Sequence, residues 1–578
     1  MLRDMLITAR AGQPLWLPDV RASFAAEADG APLMLRLRSF DGKTRTWEHR
    51  LPRWHDGEER ALVRDYLCAT IYNTLSTCGG DALYLYADTA DADVSALLAE
   101  LPELFQMDAP RRCGLGKVVS IAERMSRAFG GDGFAFRVCA LREFVPVSPE
   151  PERMPGGLAP RLRALCDAAA GKNLVGIDVG GTDIKLAASK QGRLVAVKEY
   201  DWNPALFTTA EEIAAPILLL ARLMRACIAS DGTDEMLARA LRKDASEAEM
   251  EAAVAAAEEK LDVGVLDAVG LSFPDIVLHD RIVGGETPKT DGIRRNRAVD
   301  YKTEFAGLSA LRERLLPLCR GAGRCRIVND GNIAAFTAAM ELACGGADAR
   351  IAHGVFAHSL GTDLGTGWLD ARGAIPQMPL ELYDLWLDLG SAPSAALPPA
   401  DLRSTRNENS GLPGARRYMG QAAAYRMAYE LDPRLLDGFT EEKNGVLRIR
   451  TAPEDLRKPC LEHLMRCAGD GNAAAQEVFR RIGENLAVVS REAEYLLRTG
   501  TDARFLFGRF VKSERCFELL CEGFSRGGAG NVTLENGGGD LAETPLMRQL
   551  AQREDVTVAQ FAQAVGGFYF ALTEEETV

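Results

Sequence analysis

The sequence predicts an α/β protein of more than one domain, and three observations carry that prediction. Its 578 residues are too many for a single hydrophobic core. Runs with the period-2 alternation of strands and runs with helical composition are both present. At Asn173 the pattern changes sharply: an apolar strand runs into Gly180-Gly181-Thr182 and straight out into a second strand. We therefore divide the chain into an N-terminal unit, 1–170, a first segment, 171–345, and a second, 346–578.

The N-terminal unit reads as mixed α/β. Leu33, Leu35 and Leu37 alternate with polar or flexible neighbours, and 44–51 alternates again around Trp47. Asp41-Gly42 between these runs predicts a β-hairpin. A helix is expected over 58–75, a short strand over 82–86, a helix over 117–129 and a longer strand over 134–147. The breaker-rich stretch 147–157 reads as a linker and 159–170 as a helix leading out of it. No motif in this unit points to a function.

Beyond it, strands are expected at 174–179, 184–189 and 194–200, then helices at 208–229 and 234–261. The acidic run 247–260 reads as a solvated helix face. Arg326 to Asn332 reads as a strand ending in a polar turn that opens a helix over 333–342. Gly537-Gly538-Gly539 marks a surface loop.

Composition excludes several function classes. A formal charge of −14 opposes a general nucleic-acid binder, which needs a basic face to neutralise phosphates. No apolar run approaches the roughly 18–20 residues that span a bilayer, and 1–20 lacks the apolar core of a signal peptide. The 13 cysteines form no CxxC pair and fit free thiols in a reducing cytoplasm. The six histidines form neither HExxH nor an HxH pair.

Three segments carry chemistry. Glycines between strands 174–179 and 184–189 let the backbone approach a phosphate and expose N–H groups as an anion nest, with Thr182 adding a hydroxyl; a plain tight hairpin is the alternative. No helix follows, so neither a P-loop nor a dinucleotide fingerprint fits. Asp330, at a strand end beside a helix start, is placed to face a cleft, where a carboxylate could accept a hydroxyl proton during phosphoryl transfer; it could equally cap the helix. Residues 354–370 repeat the first logic, an apolar strand, a Gly/Thr turn and another strand.

In their order these motifs resemble the ROK family of sugar kinases, in the superfamily of hexokinase, actin and Hsp70-like ATPases. The resemblance covers about 173–572. Gly176 to Lys185 is similar to the family's first phosphate motif, with Asp178 at the position that acts on Mg²⁺ through water. Asp183 stands where many members have lysine. Ser272-Phe273-Pro274-Asp275 resembles the strand and Pro-turn before the sugar site, Asp275 replacing a glycine. Thr287-Pro288-Lys289-Thr290 lies where the family has a loop near the sugar. Asn329-Asp330-Gly331-Asn332 matches the family's Asn-Asp-x-Asn, which implies Asp330 as catalytic base and Asn329 as a ligand of sugar hydroxyls. Gly361, Thr362, Gly365 and Gly367 match the second phosphate motif, Asp363 replacing its middle glycine. Glu381 stands at the family's sugar-binding glutamate, but Asp384 replaces the zinc-binding histidine and no cysteine lies between Cys344 and Cys460, so no structural zinc is expected. Arg417-Tyr418-Met419-Gly420 is similar to the Arg-Tyr-x-Gly of hexokinases. Arg504 to Gly508 resembles the adenosine motif, Arg509 taking the place of its second glycine, and 562–570 resembles the C-terminal helix.

The resemblance implies a two-lobed RNase H-like (actin-like ATPase) fold behind the N-terminal unit, with ATP and Mg²⁺ in the cleft. Gly180, Gly181 and Thr182 would meet the phosphates from one lobe and Gly361, Thr362, Gly365 and Gly508 would serve the nucleotide from the other. The expected reaction is phosphorylation of a hydroxyl of a sugar or sugar-like substrate. The expected partners are a small-molecule sugar, no nucleic acid and no membrane, with a homodimer carried over from the family's habit. The alternatives are a catalytically degenerate ATP- or sugar-binding scaffold, favoured by Asp183, Asp363 and Arg509, and a sensor of the ROK type.

Overall fold

The computed structural model describes all residues except 41–42, 110, 147–156, 285–287, 391–395, 409, 501–502, 531, 538–541 and 575–578. The Asp41-Gly42 turn, most of the 147–157 stretch, Thr287, and Gly538 and Gly539 lie outside the described residues.

The N-terminal unit comprises α1 (Leu2–Arg10), α2 (Leu17–Ala25), β1 (Ala31–Arg38), β2 (Thr44–Leu51), α3 (Gly57–Cys78), β3 (Ala82–Ala87), α4 (Ala92–Leu104), α5 (Gly116–Ala128) and β4 (Ala135–Ala140). Its sheet has the order β2-β1-β3-β4. Leu33, Leu35 and Leu37 are fully buried on one face of β1, as their alternation requires, and Arg38 pairs with Thr44 across the hairpin. The long strand expected over 134–147 stops at Ala140 and gives way to a 3₁₀ turn at Leu141–Glu143.

After α6 (Leu158–Ala169), the first lobe contains β5 (Asn173–Val179), β6 (Asp183–Lys190), β7 (Arg193–Asp201), α7 (Ala210–Ala229), α8 (Glu235–Ala240), α9 (Glu247–Lys260) and β8 (Leu266–Phe273). A small ribbon, β9 (Val277–Leu278) and β10 (Arg281–Ile282), and helices α10 (Asp291–Arg295), α11 (Tyr301–Ser309) and α12 (Leu311–Leu315) precede β11 (Cys319–Asn329) and α13 (Asp330–Cys344). The single helix expected over 234–261 is divided, because Ser246 and Glu249 form a reciprocal capping box that starts α9 afresh. Strand order is β11-β8-β5-β6-β7, with β5 parallel to β8, β8 parallel to β11, and β5-β6-β7 an antiparallel meander. This is the RNase H-like order. Every residue of β8 is buried, as a parallel strand covered by helices on both faces should be.

The second lobe contains β12 (Val355–Leu360), β13 (Leu364–Leu369), α14 (Gly420–Leu431), β14 (Thr440–Lys443), β15 (Val446–Ile449), α15 (Arg457–Gly469), α16 (Ala473–Leu497), β16 (Ala503–Gly508), α17 (Glu514–Arg526), β17 (Thr533–Asn536), α18 (Pro545–Ala551) and α19 (Val558–Phe570). Its sheet order, β13-β12-β16-β17, repeats the hairpin and two parallel neighbours of the first. The protein thus has the two-lobed RNase H-like fold preceded by a mixed α/β unit. The 345/346 division puts α19 with the second lobe in sequence, but in space α19 packs on the first sheet. A Cβ on Gly176 would lie 1.8 Å from the Ala564 carbonyl oxygen, and one on Gly270 would lie 2.0 Å from that of Gly567. Only glycine permits that approach.

The N-terminal unit is not a detached bead. Phe356, Trp368, Trp386 and Leu497 of the second lobe share one core with Leu35, Val63 and Phe24. Among the described residues no helix is long and apolar enough to cross a membrane.

Candidate functional site

The site lies where the C-terminal ends of β5, β8 and β11 meet the β12–β13 hairpin. The parallel register aligns Asp178 with Ser272 and Phe273 with Asn329, so the residues that follow each strand emerge side by side. Ser272 donates its hydroxyl to Asp178 Oδ1 at 2.6 Å. Burial pushes the Asp178 carboxyl up to about 6, against the pull of Ser272 and Lys185; the charge of Asp330 adds to the rise.

In Asn329-Asp330-Gly331-Asn332 each residue has a separate task. Asn329 is the N-cap of α13: its Oδ1 accepts from the Gly331 and Asn332 amides at 2.9 and 3.4 Å. Its Nδ2 donates to the Asp275 carbonyl at 2.9 Å. Asn329 is thus tied to the fold through Oδ1 and one N–H of its amide, which holds it beside Asp275 and Asp330. Gly331 allows α13 to touch β13, since a Cβ there would lie 2.5 Å from the Thr366 carbonyl oxygen. Asn332 Oδ1 accepts from the Trp368 amide at 3.0 Å. Asp330 is the first helical residue rather than the cap. Its Oδ1 accepts from the Gly331 amide at 2.8 Å, and no intramolecular hydrogen bond to Oδ2 is found among the described residues.

The charges of Asp275, Asp384 and Asp330 all act on Glu381. Burial first, then these neighbours, push its carboxyl up to about 8, so it carries a proton at neutral pH. Asp275 is only 4% exposed, and its carboxyl is pushed up to about 6 by burial. The Ile276 amide donates to Asp275 Oδ1 at 2.8 Å, whereas Oδ2 is buried with no partner. Asp384 accepts from the Tyr72 hydroxyl and the Asn407 amide.

The two Gly/Thr turns are geometric counterparts. In the first, the Gly180 amide donates to the Asp183 carbonyl at 2.8 Å, and the Gly180 carbonyl accepts from the Trp202 indole at 3.0 Å. In the second, the Gly361 amide donates to the Asp363 carbonyl at 3.0 Å, and the Gly361 carbonyl accepts from the Gln421 amide at 3.0 Å. Both turns thus have their carbonyls tied back. Gly181, Thr182 and Thr362 are exposed, and nothing lies within 4 Å of a Cβ built on Gly361. Gly365 pairs with Ser359 at the start of β13 without a close contact. Gly508 ends β16 beside Leu360, at φ 98°, with a Cβ only 2.4 Å from the Leu360 carbonyl oxygen. That site admits glycine alone.

Three of the departures noted in the sequence, at Asp183, Asp363 and Arg509, have local answers. Asp183 is paired with Lys185 and accepts from Thr182. Asp363 is paired with Arg416 at 2.5 Å and feels Lys289 as well. Arg509 opens a 3₁₀ turn (Arg509–Lys512) with no left-handed backbone for glycine to relieve. Lys289 is the residue that sequence reasoning passed over. Its Cε lies 3.3 Å from a Cβ built on Gly181, and its charge acts on both Asp275 and Asp363, so it stands between the two turns. It sits in the quoted 287–290 segment, where Pro and Thr drew attention to the loop rather than to its cation.

The donor set suits a triphosphate. Backbone amides at two open turns, the Lys289 ammonium and the start of α13 all favour anions. Among the described residues no three His, Cys, Asp or Glu side chains converge as a metal cage. Mg²⁺ needs none, since it keeps several waters, and through one of these Asp178 could act on it.

No family model matches the chain, and neither does any curated protein. Among solved structures it is similar to a ROK family glucokinase from Streptomyces griseus in complex with glucose and AMPPNP, at 16% identity and a TM-score of 0.36, over 69% of this chain and 99% of that one. A ROK hexokinase from Thermus thermophilus is similar at 18% identity and a TM-score of 0.37, over 68% and 98%. A ROK family transcriptional regulator, a homologue of the E. coli MLC protein, is similar at 11% identity and a TM-score of 0.39, over 69% and 80%.

Proposed function

We propose that the protein transfers the γ-phosphoryl group of ATP to a hydroxyl of a sugar or sugar-like polyol. The observation that carries this reading is Asp330: a carboxylate with Oδ2 unengaged, at a strand end between two open Gly/Thr turns and a wall of acceptor-binding carboxyls.

In this mechanism the acceptor hydroxyl rests on Asp330. Its oxygen attacks the γ-phosphorus in line, the bond to the β,γ-bridging oxygen breaks, and the proton passes to Asp330. Glu381, protonated at neutral pH, donates to the acceptor, and Asp275 Oδ2 accepts from another hydroxyl. The amides of Gly181, Thr182 and Thr362, with Lys289, hold the phosphates and receive the charge that builds on them. Mg²⁺ would supply charge neutralisation on the phosphates when bound, with Asp178 acting on it through water. The turn before β13 and the Gly508 corner form the nucleotide end. Asn329 keeps Asp275 and Asp330 in register.

The test is ADP formation from ATP and Mg²⁺ against neutral hexoses, N-acetylhexosamines, polyols and sugar acids, with Asp330→Asn alongside. Acceptor-dependent turnover that disappears in the variant supports the reading. Binding of ATP and a sugar without turnover would replace it with that of a sensor.

A further inference from the structure

Two half-buried cysteines that the phosphotransfer reading leaves unused meet between α6 and α13. Cys166 of α6 and Cys344, the last residue of α13, bring their Sγ atoms to 3.3 Å, and both are free thiols. They stand 178 residues apart in the chain. Arg163, one turn before Cys166, sets the register of the two helices. Its guanidinium donates to the Ala343 carbonyl at 2.8 Å and to both carboxylate oxygens of Asp348 at 2.7 and 2.9 Å. That fork grips the chain on either side of Cys344 and holds α6 against the end of α13.

The surroundings give the two thiols different roles. The C-terminal end of a helix disfavours a thiolate, but Arg163 covers the Ala343 carbonyl there. The hydrogen bond from Cys166 pushes the Cys344 thiol down, and the charges of Arg163 and Arg548 add to it against burial and the charge of Glu341. The same bond pushes Cys166 up. Gly345 and Gly346, which follow Cys344, are exposed and carry no side chain to shield it. Cys460 and Cys516, by contrast, are fully buried in the core of the second lobe and have no such opening.

We infer that Cys166 and Cys344 are a thiol-oxidation site, which low-molecular-weight disulfides convert to a cystine joining α6 to α13, with Cys344 as the attacking thiol. The Cys344 thiolate attacks one sulfur of the small disulfide, whose S–S bond breaks, and one small thiolate leaves. Cys166 then gives up its proton and attacks Cys344 Sγ; the mixed disulfide breaks and the second small thiolate leaves. The protein loses two electrons and two protons, and the small disulfide gains them as two thiols. Helix α13 carries the chain from the first sheet to the second, with Asp330 at its start and Cys344 at its end. It shares one core with α6, α19 and strands of both sheets through Leu162, Leu174, Ala335, Val355, Phe505 and Val565. The new bond therefore clips the connecting helix at the end remote from the cleft. This inference does not rest on the phosphotransfer reading.

The experiment treats the full-length protein with oxidised glutathione, alkylates the remaining thiols, digests without reduction and maps linked peptides by mass spectrometry. Melts by circular dichroism are recorded before and after treatment. Wild type should yield a peptide linked through Cys166 and Cys344 and melt at least about 2 °C higher, because a bond closing so long a loop restricts the unfolded chain. Dithiothreitol should reverse both changes. Cys166→Ser should stop at a mixed disulfide on Cys344, with no gain in melting temperature. In Cys344→Ser the remaining Cys166 should react at least about tenfold more slowly than Cys344 does in Cys166→Ser. No linked peptide in wild type, or linkage of either cysteine to a different partner, overturns the inference. So does a melting temperature that falls or stays the same on linkage, or a Cys166 that reacts faster than Cys344 in the paired variants.

Discussion

At the residue scale the site gathers carboxyls that burial raises, Asp178 and Asp275 to about 6 and Glu381 to about 8, around Asp330. Asp330→Asn removes the base while preserving shape, so turnover should fall about 10²- to 10⁴-fold, with the melting temperature unchanged. A steady-state assay with circular-dichroism melts checks both. Glu381 gives a second prediction. Its carboxyl is raised from the ordinary 4.5 to about 8, so across that window the folded protein keeps a proton that the unfolded chain has released. The folded state then binds more protons than the unfolded one, and this group's effect is to lower stability as pH rises from 4.5 towards 8. Asp178, Asp275 and Asp384, each raised to about 6, act in the same direction over a lower range. Glu381→Gln cannot titrate, so thermal melts across pH 5–8 should show a shallower decline in the variant than in wild type. A variant that matched the wild-type slope would show that Glu381 does not hold that proton.

At the element scale, glycine separates structure from ligand binding. Gly270→Ala would drive a methyl group to within 2.0 Å of the Gly567 carbonyl oxygen, forcing α19 off the first sheet. We expect a loss of about 2–4 kcal/mol, read as a lower urea midpoint. Gly361→Ala places its methyl in open space, so stability should hold within about 0.5 kcal/mol while ATP affinity falls, as titration of the two variants would show. The same contrast explains what was legible from sequence alone. The strands around Gly180, the β1–β2 pair and the strand-to-helix turn at Asn329 rest on local signals, periodicity and turn chemistry, and are readable in the chain. The division of α8 from α9 was legible too, in the Ser246–Glu249 capping box, but the Ala/Glu-rich run masked it. The N-cap contact of Asn329 was not legible, because an Asn-Asp pair looks the same whether or not it caps a helix. Nor was the partnership of Ser76 with Glu381, groups 305 residues apart. Only the fold brings them together.

At the scale of the whole molecule the N-terminal unit is a structural partner of both lobes. It meets the first lobe through α5 and the turn after Asp275, and the second through α3, the Glu381 segment and α16. The strongest tie is Arg21 of α2, which binds both oxygens of the fully buried Glu492 at 2.7 and 2.9 Å and lies 3.7 Å from the centre of the Tyr495 ring. Asn73 of α3 donates to the same carboxylate at 3.1 Å and clasps the Trp386 backbone on its other side. Removing one partner of such a pair leaves a buried charge without its counter-ion, so Arg21→Met should cost about 3–5 kcal/mol, although the methionine fills most of the space. The double variant Arg21→Met/Glu492→Leu, which removes both charges, should recover much of that loss. Equilibrium unfolding of the single and double variants decides the point. If the single variant were as stable as wild type, the pair would be an ornament of the interface. If the double variant recovered stability but bound acceptor weakly, the ion pair would be there to hold α3, and with it Glu381, at the cleft.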